Sequence, residues 1–137
     1  MKKILLIVFL LIVLAGGYAY YMYMKPVEGL ADADAAYSLT SDELYDYFDT
    51  NESEANAKYL GKIIEVRGEI REFSIGDSGD LSVILATGNP MFSVNIGMNK
   101  NQTIDYKNYK TGDSIKVKAE CTGISMDVVL TRGVIVK

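Results

Sequence analysis

Histidine is absent from the chain, and cysteine occurs once among its 137 residues, at Cys121. Without histidine there is no Ser/His/Asp or Cys/His arrangement for nucleophilic catalysis, and no cluster has the ligand spacing that zinc requires. A single cysteine also excludes a disulfide within the chain. We expect Cys121 to be a small, buried, apolar side chain on a strand, with intermolecular pairing or a reactive thiol as the alternatives. The composition therefore predicts a protein that is not an enzyme, with no catalytic residues, no metal ligands and no cofactor.

Acidic residues are absent from the first 25 positions, where Lys2, Lys3 and Lys25 are the only charged residues. Positions 26–137 carry 11 basic and 18 acidic side chains, which gives them a net charge of −7. An acidic domain is a poor partner for nucleic acid, because binding to phosphate backbones depends on Lys and Arg displacing counterions. We also do not expect this domain to adhere strongly to an anionic lipid surface.

The first 25 residues contain an uncharged run of 21 residues, from Ile4 to Met24. About 20 apolar residues are enough to cross the hydrocarbon core as a helix. Lys2 and Lys3 place the N-terminus on the cytoplasmic side, since positive residues are retained there. We therefore predict a transmembrane signal-anchor helix at residues 1–25, a single-pass protein of the cell membrane, and an extracytoplasmic C-terminal domain. The alternative is a cleaved signal peptide, which would leave the domain secreted or periplasmic.

Residues 26–39 are small and acidic without clear periodicity, and they are predicted to form a spacer before a domain at residues 40–137. Thr40 and Glu43 have the spacing of a capping box at the start of a helix. Apolar positions then follow at i, i+3 and i+4, namely Leu44, Tyr47 and Phe48. Asn51 interrupts this helix, and a second helix is predicted over 53–60. We expect four tyrosines to dock these helices on the rest of the domain: Tyr37, Tyr45, Tyr47 and Tyr59.

From residue 64 onward the apolar period changes to two, which is typical of half-buried strands. Strands are predicted over 64–71, 81–87, 92–98, 114–122 and 127–137, the last one broken by Gly133. A short helix is predicted within 101–109, between the third and fourth strands, and Gly68 is predicted to bend the first strand. Five strands in this order are typical of an OB-fold, a five-stranded, partly open Greek-key barrel. The pattern predicts a mostly β domain of this kind, with a β-sandwich fragment as the alternative.

Six sequence blocks together carry a family resemblance: Leu39–Leu44, Ala55–Lys62, Ile64–Gly68, Gly112–Lys118, Cys121–Gly123 and Met126–Leu130. They resemble the bacterial tRNA_anti-like family, an OB-fold family named for its similarity to anticodon-binding domains. The resemblance covers about 100 residues and implies a bacterial OB-fold domain. It supplies no catalytic motif that could be transferred to this chain.

In OB-folds the usual binding surface is the face of strands two and three, with the loops that join strands one–two and four–five. In this sequence the candidate ligand-binding residues on that surface are Phe73, Asp77, Asp80, Ser93, Asn95, Ser125 and Met126. Met126 would alternatively plug the open end of the barrel, and the two aspartates would alternatively lie in a solvated turn.

These features predict a non-catalytic, membrane-anchored binding module for a protein or small ligand of the cell envelope. The alternative is a single-stranded nucleic-acid binder, which needs a basic groove and aromatic side chains on which bases stack. The outward positions of the first strand alternate in charge: Glu65, Arg67, Glu69 and Arg71. Because no basic stripe results, nucleic acid is not the expected partner. A third option is a purely structural role in a membrane complex.

Overall fold

The structure is a computed structural model that describes residues 2–24, 29–100 and 105–136. Among these residues there are three α-helices: α1 (Lys2–Met24), α2 (Ser41–Thr50) and α3 (Glu52–Tyr59). The strands are β1 (Tyr37–Thr40), β2 (Ile63–Ile75), β3 (Leu81–Ala86), β4 (Ser93–Met98), β5 (Ser114–Ile124) and β6 (Val128–Val136). A short 3₁₀ helix, Asp105–Asn108, precedes β5.

Five of the strands close into a barrel because β2 is long enough to pair with two partners. Its first half pairs antiparallel with β5, and its second half pairs antiparallel with β3. The ring is completed by β3 with β4, β4 parallel to β6, and β6 antiparallel to β5. This closed Greek-key arrangement is the topology of an OB-fold. The predicted five-stranded barrel is therefore confirmed.

Inward side chains alternate with outward ones along each strand, as a closed barrel requires. On β5 the predicted inward set, Ile115, Val117, Ala119 and Cys121, is buried. The expectation for Cys121 is confirmed, since its side chain is fully buried and its thiol is free. Burial raises the pKa of that thiol, which disfavours the reactive thiolate.

The structure adds one strand that the sequence analysis did not predict. Within the predicted spacer 26–39, β1 begins at Tyr37 and pairs parallel with residues 64–67 of β2. It covers the edge of the first half of β2, with which β3 does not pair. Leu30 is also buried, and the ammonium group of Lys118 donates to the carbonyl oxygens of Ala31 and Ala33 at 2.9 and 2.8 Å. At least residues 29–39 of the segment are thus part of the folded domain rather than a free spacer.

Local capping starts helix α2 as predicted. The amide of Glu43 donates to Oγ1 of Thr40 at 3.1 Å, and the amide of Thr40 donates to the Glu43 carboxylate at 2.8 Å. The predicted apolar face was partly wrong, because Tyr47 is 45% exposed and Tyr45 is buried in its place. Asn51 ends α2 and caps α3, since its side chain accepts from the amide of Glu54.

Aromatic side chains join both helices to the barrel region. The ring of Tyr59 is fully buried, with edge contacts to Tyr37 and Tyr47 at centroid distances of 5.1 and 5.7 Å. Tyr45 stacks on Phe92, which directly precedes β4, with ring centroids 5.2 Å apart. Such aromatic pairs stabilise a fold by more than the burial of their apolar surface alone. The predicted docking role is confirmed for Tyr37, Tyr45 and Tyr59, whereas Tyr47 contacts Tyr59 of the neighbouring helix and is partly exposed.

Two glycines in strands are required by close approach of other residues. A Cβ at Gly68 would lie 2.6 Å from Oγ of Ser41 at the start of α2. A Cβ at Gly133 would lie 2.6 Å from Cγ2 of Ile96. The predicted break at Gly133 is partly confirmed: β6 runs through Gly133 from Val128 to Val136, but its register with both neighbouring strands is irregular at that point.

Other predicted boundaries shift by a few residues. Strand β2 continues to Ile75 and β5 continues to Ile124, which were assigned to loops. The predicted helix within 101–109 is a 3₁₀ turn over Asp105–Asn108, and residues 101–104 lie outside the described residues.

Helix α1 has described side chains at residues 7–21, and those from Ile7 to Leu14 are 48–67% exposed. In the described part of the chain, no helix is both long enough and apolar enough to cross a membrane. The transmembrane anchor at residues 1–25 stays a prediction.

Candidate binding surface

The predicted site residues in loops lie at two opposite ends of the β3–β4 hairpin. The strand register pairs Ala86 with Ser93 at one end and Ser82 with Gly97 at the other. The loop 76–80 adjoins the Gly97 end, whereas the loop 125–127 adjoins the Ser93 end. The ends are separated by about five residues of strand, or about 17 Å. The structure therefore does not bring Asp77 and Asp80 together with Ser125 and Met126.

Phe73 lies on the core side of the barrel rather than on the outer face. It pairs with the fully buried Val83, and its half-buried ring packs against the core. The cause is a register irregularity between Ile70 and Glu72, which shifts the inward positions of β2 from even to odd residue numbers. A bulge of this kind re-aims the side chains that follow it. Phe73 is thus removed from the outer surface on which we had placed it.

The two aspartates of the loop 76–80 lie in an exposed turn. The carboxylate of Asp80 accepts from the Ser78 hydroxyl at 2.7 Å and forms an ion pair with Lys100 at 3.3 Å. The Ser78 hydrogen bond and then the Lys100 ammonium lower the pKa of Asp80. Among the described residues, no group of three or more His, Cys, Asp or Glu side chains could hold a metal ion. The turn is stabilised by these contacts.

Asn95 lies at the centre of the outer face, between Ile84 of β3 and Val129 of β6. The half-buried outward residues of these three strands are uncharged and non-aromatic. They are Ser82, Ile84, Ala86, Asn95, Gly97, Val129 and Thr131. Single-stranded nucleic acid is bound by basic side chains and by aromatic rings on which bases stack. These positions therefore lack the side chains that such binding uses, and the exposed Arg132 of β6 is paired with Glu120.

Ser93 has a structural position at the other end of the hairpin. Its side chain is buried, and its amide donates to the Asp127 carboxylate at 2.7 Å. This bond ties the start of β4 to the loop 125–127. The loop is closed by a further bond from the amide of Ser125 to the carbonyl oxygen of Asp127, at 3.1 Å.

Two exposed methionines lie next to the ends of the Ser93–Asp127 hydrogen bond, one on each of the two segments that it connects. Met91 is 82% exposed and Met126 is 78% exposed, the highest values among large apolar side chains in the described part of the chain. We call the turn 87–92 and the loop 125–127 together the methionine platform. Met126 was identified from the sequence, whereas Met91 was missed. The sequence signal for an exposed Met91 was an apolar residue directly after the turn residues 88–90, a place where side chains are rarely buried.

The backbone of the platform is held by local hydrogen bonds. The amide of Met91 donates to the Asn89 side chain at 3.0 Å, and the Thr87 hydroxyl lies 2.9 Å from both the Asn89 and Phe92 carbonyl oxygens. The amide of Gly88 donates to the Asp42 carboxylate of α2. A preformed surface of this kind loses little conformational freedom on binding.

The sequence profile of the tRNA_anti-like family matches residues 1–135. The chain belongs to the tRNA_anti-like family. The barrel topology described above agrees with the OB-fold of this family of binding domains.

Two solved structures are similar to this chain, and the first of them has the same fold. One is a "putative nucleic acid-binding lipoprotein" from Klebsiella pneumoniae, with a TM-score of 0.57 and 19% identity. The similarity covers 72% of this tRNA_anti-like chain and 91% of the Klebsiella chain. The other is a "putative aspartyl-tRNA synthetase" from Leishmania major, with a TM-score of 0.48, 13% identity and coverage of 72% and 20%. A comparison with curated proteins found no match.

Proposed function

We propose that this tRNA_anti-like protein is a non-catalytic binding module that holds a protein partner through the methionine platform. The observation that supports this is the exposure of Met91 and Met126 on two segments tied together by the Ser93–Asp127 hydrogen bond. Methionine side chains are flexible and polarisable, and they are frequent on surfaces that adapt to a partner. A contiguous exposed apolar patch typically marks an interaction site, and we propose that the two methionine side chains form such a patch.

We further propose that residues 1–25 hold the domain at the outer side of the cell membrane. The sequence supports this with its uncharged run from Ile4 to Met24 behind Lys2 and Lys3. The described side chains of α1 from Ile7 to Leu14 are exposed over two turns, so they surround the helix axis. A helix that is apolar all round requires an apolar environment. Cleavage of this segment would instead leave the domain secreted or periplasmic.

The platform is tested by site-specific photocrosslinking in membranes of cells that express the full-length protein. Benzoylphenylalanine at position 91 or 126 should give a discrete crosslinked product with one protein. The matched control is the same group at Ile75, which is 64% exposed but lies at the opposite end of the hairpin. Crosslinking from position 75 in preference to both platform positions would contradict the assignment.

The tether is tested separately by replacing residues 1–25 with a cleavable signal. A partner that is still crosslinked to the released domain is held by the barrel. A partner lost with residues 1–25 is held by the N-terminal segment, and the platform proposal then fails. Extraction of the full-length protein from membranes by salt or alkaline carbonate would refute the tether.

Single-stranded nucleic acid is the second candidate, and one observation favours it. Arg67 of β2 and Lys116 of β5 are directly opposite each other on the outer side of the barrel. The net charge of −7 over positions 26–137 opposes this candidate, as does the uncharged face around Asn95. If it is correct, a labelled oligo(dT) should bind the full-length protein, and its affinity should fall steeply between 50 and 200 mM salt.

A further inference from the structure

Arg67 and Lys116 form a cross-strand pair of like charge. They are opposite each other in the antiparallel register of β2 and β5. Directly opposed residues have Cβ atoms about 4.5–5.5 Å apart, and like charges at that distance are destabilising. The described residues contain two ion pairs, Lys100 with Asp80 and Arg132 with Glu120, and neither involves this pair. Among the described residues, no carboxylate lies within ion-pair distance of either cation, so an anionic ligand would relieve their repulsion.

The neighbouring carboxylates of β2 form no ion pair with Arg67 or Lys116. Glu65 and Glu69 lie two residues before and after Arg67 on the same outward face. The Glu65 carboxylate accepts from the Ser38 hydroxyl at 3.0 Å and lies opposite Lys118. Glu69 is exposed and lies opposite Ser114. Neither comes within ion-pair distance of the guanidinium group of Arg67.

A cavity of about 380 Å³ opens beside the two cations. It is lined by Arg67, Tyr109, Ser114, Ile115, Lys116, Ile135 and Val136. Its lining therefore combines a guanidinium, an ammonium and a hydroxyl group with a phenol ring and aliphatic side chains. Its volume lies within the range of small-molecule sites, which combine apolar walls with a few convergent polar groups.

We propose that this cavity binds a small organic oxyanion, with its phosphate or carboxylate group between Arg67 and Lys116. A guanidinium group can donate two parallel hydrogen bonds to such an anion, and the ammonium group adds a second charge-assisted contact. Ser114 is positioned to donate a third bond. The apolar part of the ligand packs against Ile135, Val136 and the ring of Tyr109. This site is independent of the methionine platform, so either proposal can fail without the other.

The test is isothermal titration calorimetry, in which the full-length protein in dodecyl maltoside is titrated separately with phenyl phosphate, inorganic phosphate and benzoate. Phenyl phosphate should bind at least several-fold more tightly than inorganic phosphate, because only the former contacts the apolar wall. Benzoate distinguishes a carboxylate site from a phosphate site. Arg67→Gln and Lys116→Gln should each weaken binding at least tenfold. The control is Arg71→Gln, which removes the same charge from the same strand outside the cavity.

Lys116→Glu is the variant that guards against loss of fold, since it places a carboxylate opposite Arg67 and should leave the barrel folded. It should abolish binding of phenyl phosphate. The proposal is overturned if none of the three anions binds, or if Arg71→Gln weakens binding as much as Arg67→Gln. Binding of oligo(dT) but not of phenyl phosphate, with equal losses in all three Gln variants, would overturn it in favour of a nucleic-acid surface.

Discussion

Replacement of Gly68 with alanine probes the contact between helix α2 and the barrel. The added Cβ would lie 2.6 Å from Oγ of Ser41, 3.0 Å from its Cβ and 3.1 Å from Cδ1 of Leu85. Ser41 is buried and donates to the carbonyl oxygen of Ala86 at 2.6 Å, so a shift of its side chain away from the new Cβ would break this hydrogen bond. Overpacking of this kind costs about 1–3 kcal/mol, and loss of the Ser41 hydrogen bond costs about 1 kcal/mol more.

The conformational preference of alanine offsets part of this cost. Alanine restricts the unfolded chain relative to glycine, which stabilises a compatible site by about 0.5–1 kcal/mol. We therefore expect Gly68→Ala to lower the free energy of unfolding by about 1–3 kcal/mol. The assay is urea unfolding of the full-length protein in dodecyl maltoside, monitored by the circular dichroism signal of the β-sheet.

Gly97→Ala is the matched control in β4. Its Cβ would have the carbonyl oxygen of Leu130 as nearest neighbour at 3.7 Å, which is ordinary van der Waals contact. This variant should be neutral or slightly more stable. The double variant Ser41→Ala/Gly68→Ala should lose less than the sum of the single losses, because the closest clashing atom is then absent. Equal stabilities of Gly68→Ala and Gly97→Ala, or strict additivity in the double variant, would refute the reasoning.

Further predictions concern charge, surface and pH. Lys116→Glu should raise the free energy of unfolding by about 0.2–1 kcal/mol, since it replaces a repulsive cross-strand pair with an attractive one; a loss in urea unfolding would contradict this. Met91→Gln/Met126→Gln should change stability by less than about 0.5 kcal/mol while reducing partner capture, because both side chains are exposed. Cys121 should react with a thiol reagent such as Ellman's reagent only at the rate of unfolding, since its thiol is buried and its pKa is raised. The pKa of Asp80 is lowered in the folded state, so its stabilising contribution is present above the unfolded pKa and is lost as the pH falls through the folded pKa. The stabilities of the wild type and Asp80→Asn should therefore converge in acid, which urea unfolding at a series of pH values will measure.

The sequence predicted the separate loops of the candidate site, but it did not predict which of these loops lie together on one surface. Met126 follows from its position between the last two strands, because the OB-fold order identifies that loop as a usual contact region. Its relation to Met91 depends on the Ser93–Asp127 hydrogen bond between residues 34 positions apart. Phe73 was placed on the wrong face because strict alternation does not reveal the bulge after Ile70.

The sequence by itself determined the features that depend on residues close together in the chain. The period-two pattern of Ile115, Val117, Ala119 and Cys121 specifies which side of β5 is buried, whatever strand lies beside it. The Thr40–Glu43 capping box likewise forms from residues three apart. The tertiary structure decided which strands pair and in which register, and therefore that Arg67 lies opposite Lys116 and that Gly68 lies against Ser41. These contacts join residues 27 or more positions apart, and their energies depend on packing that no local pattern records.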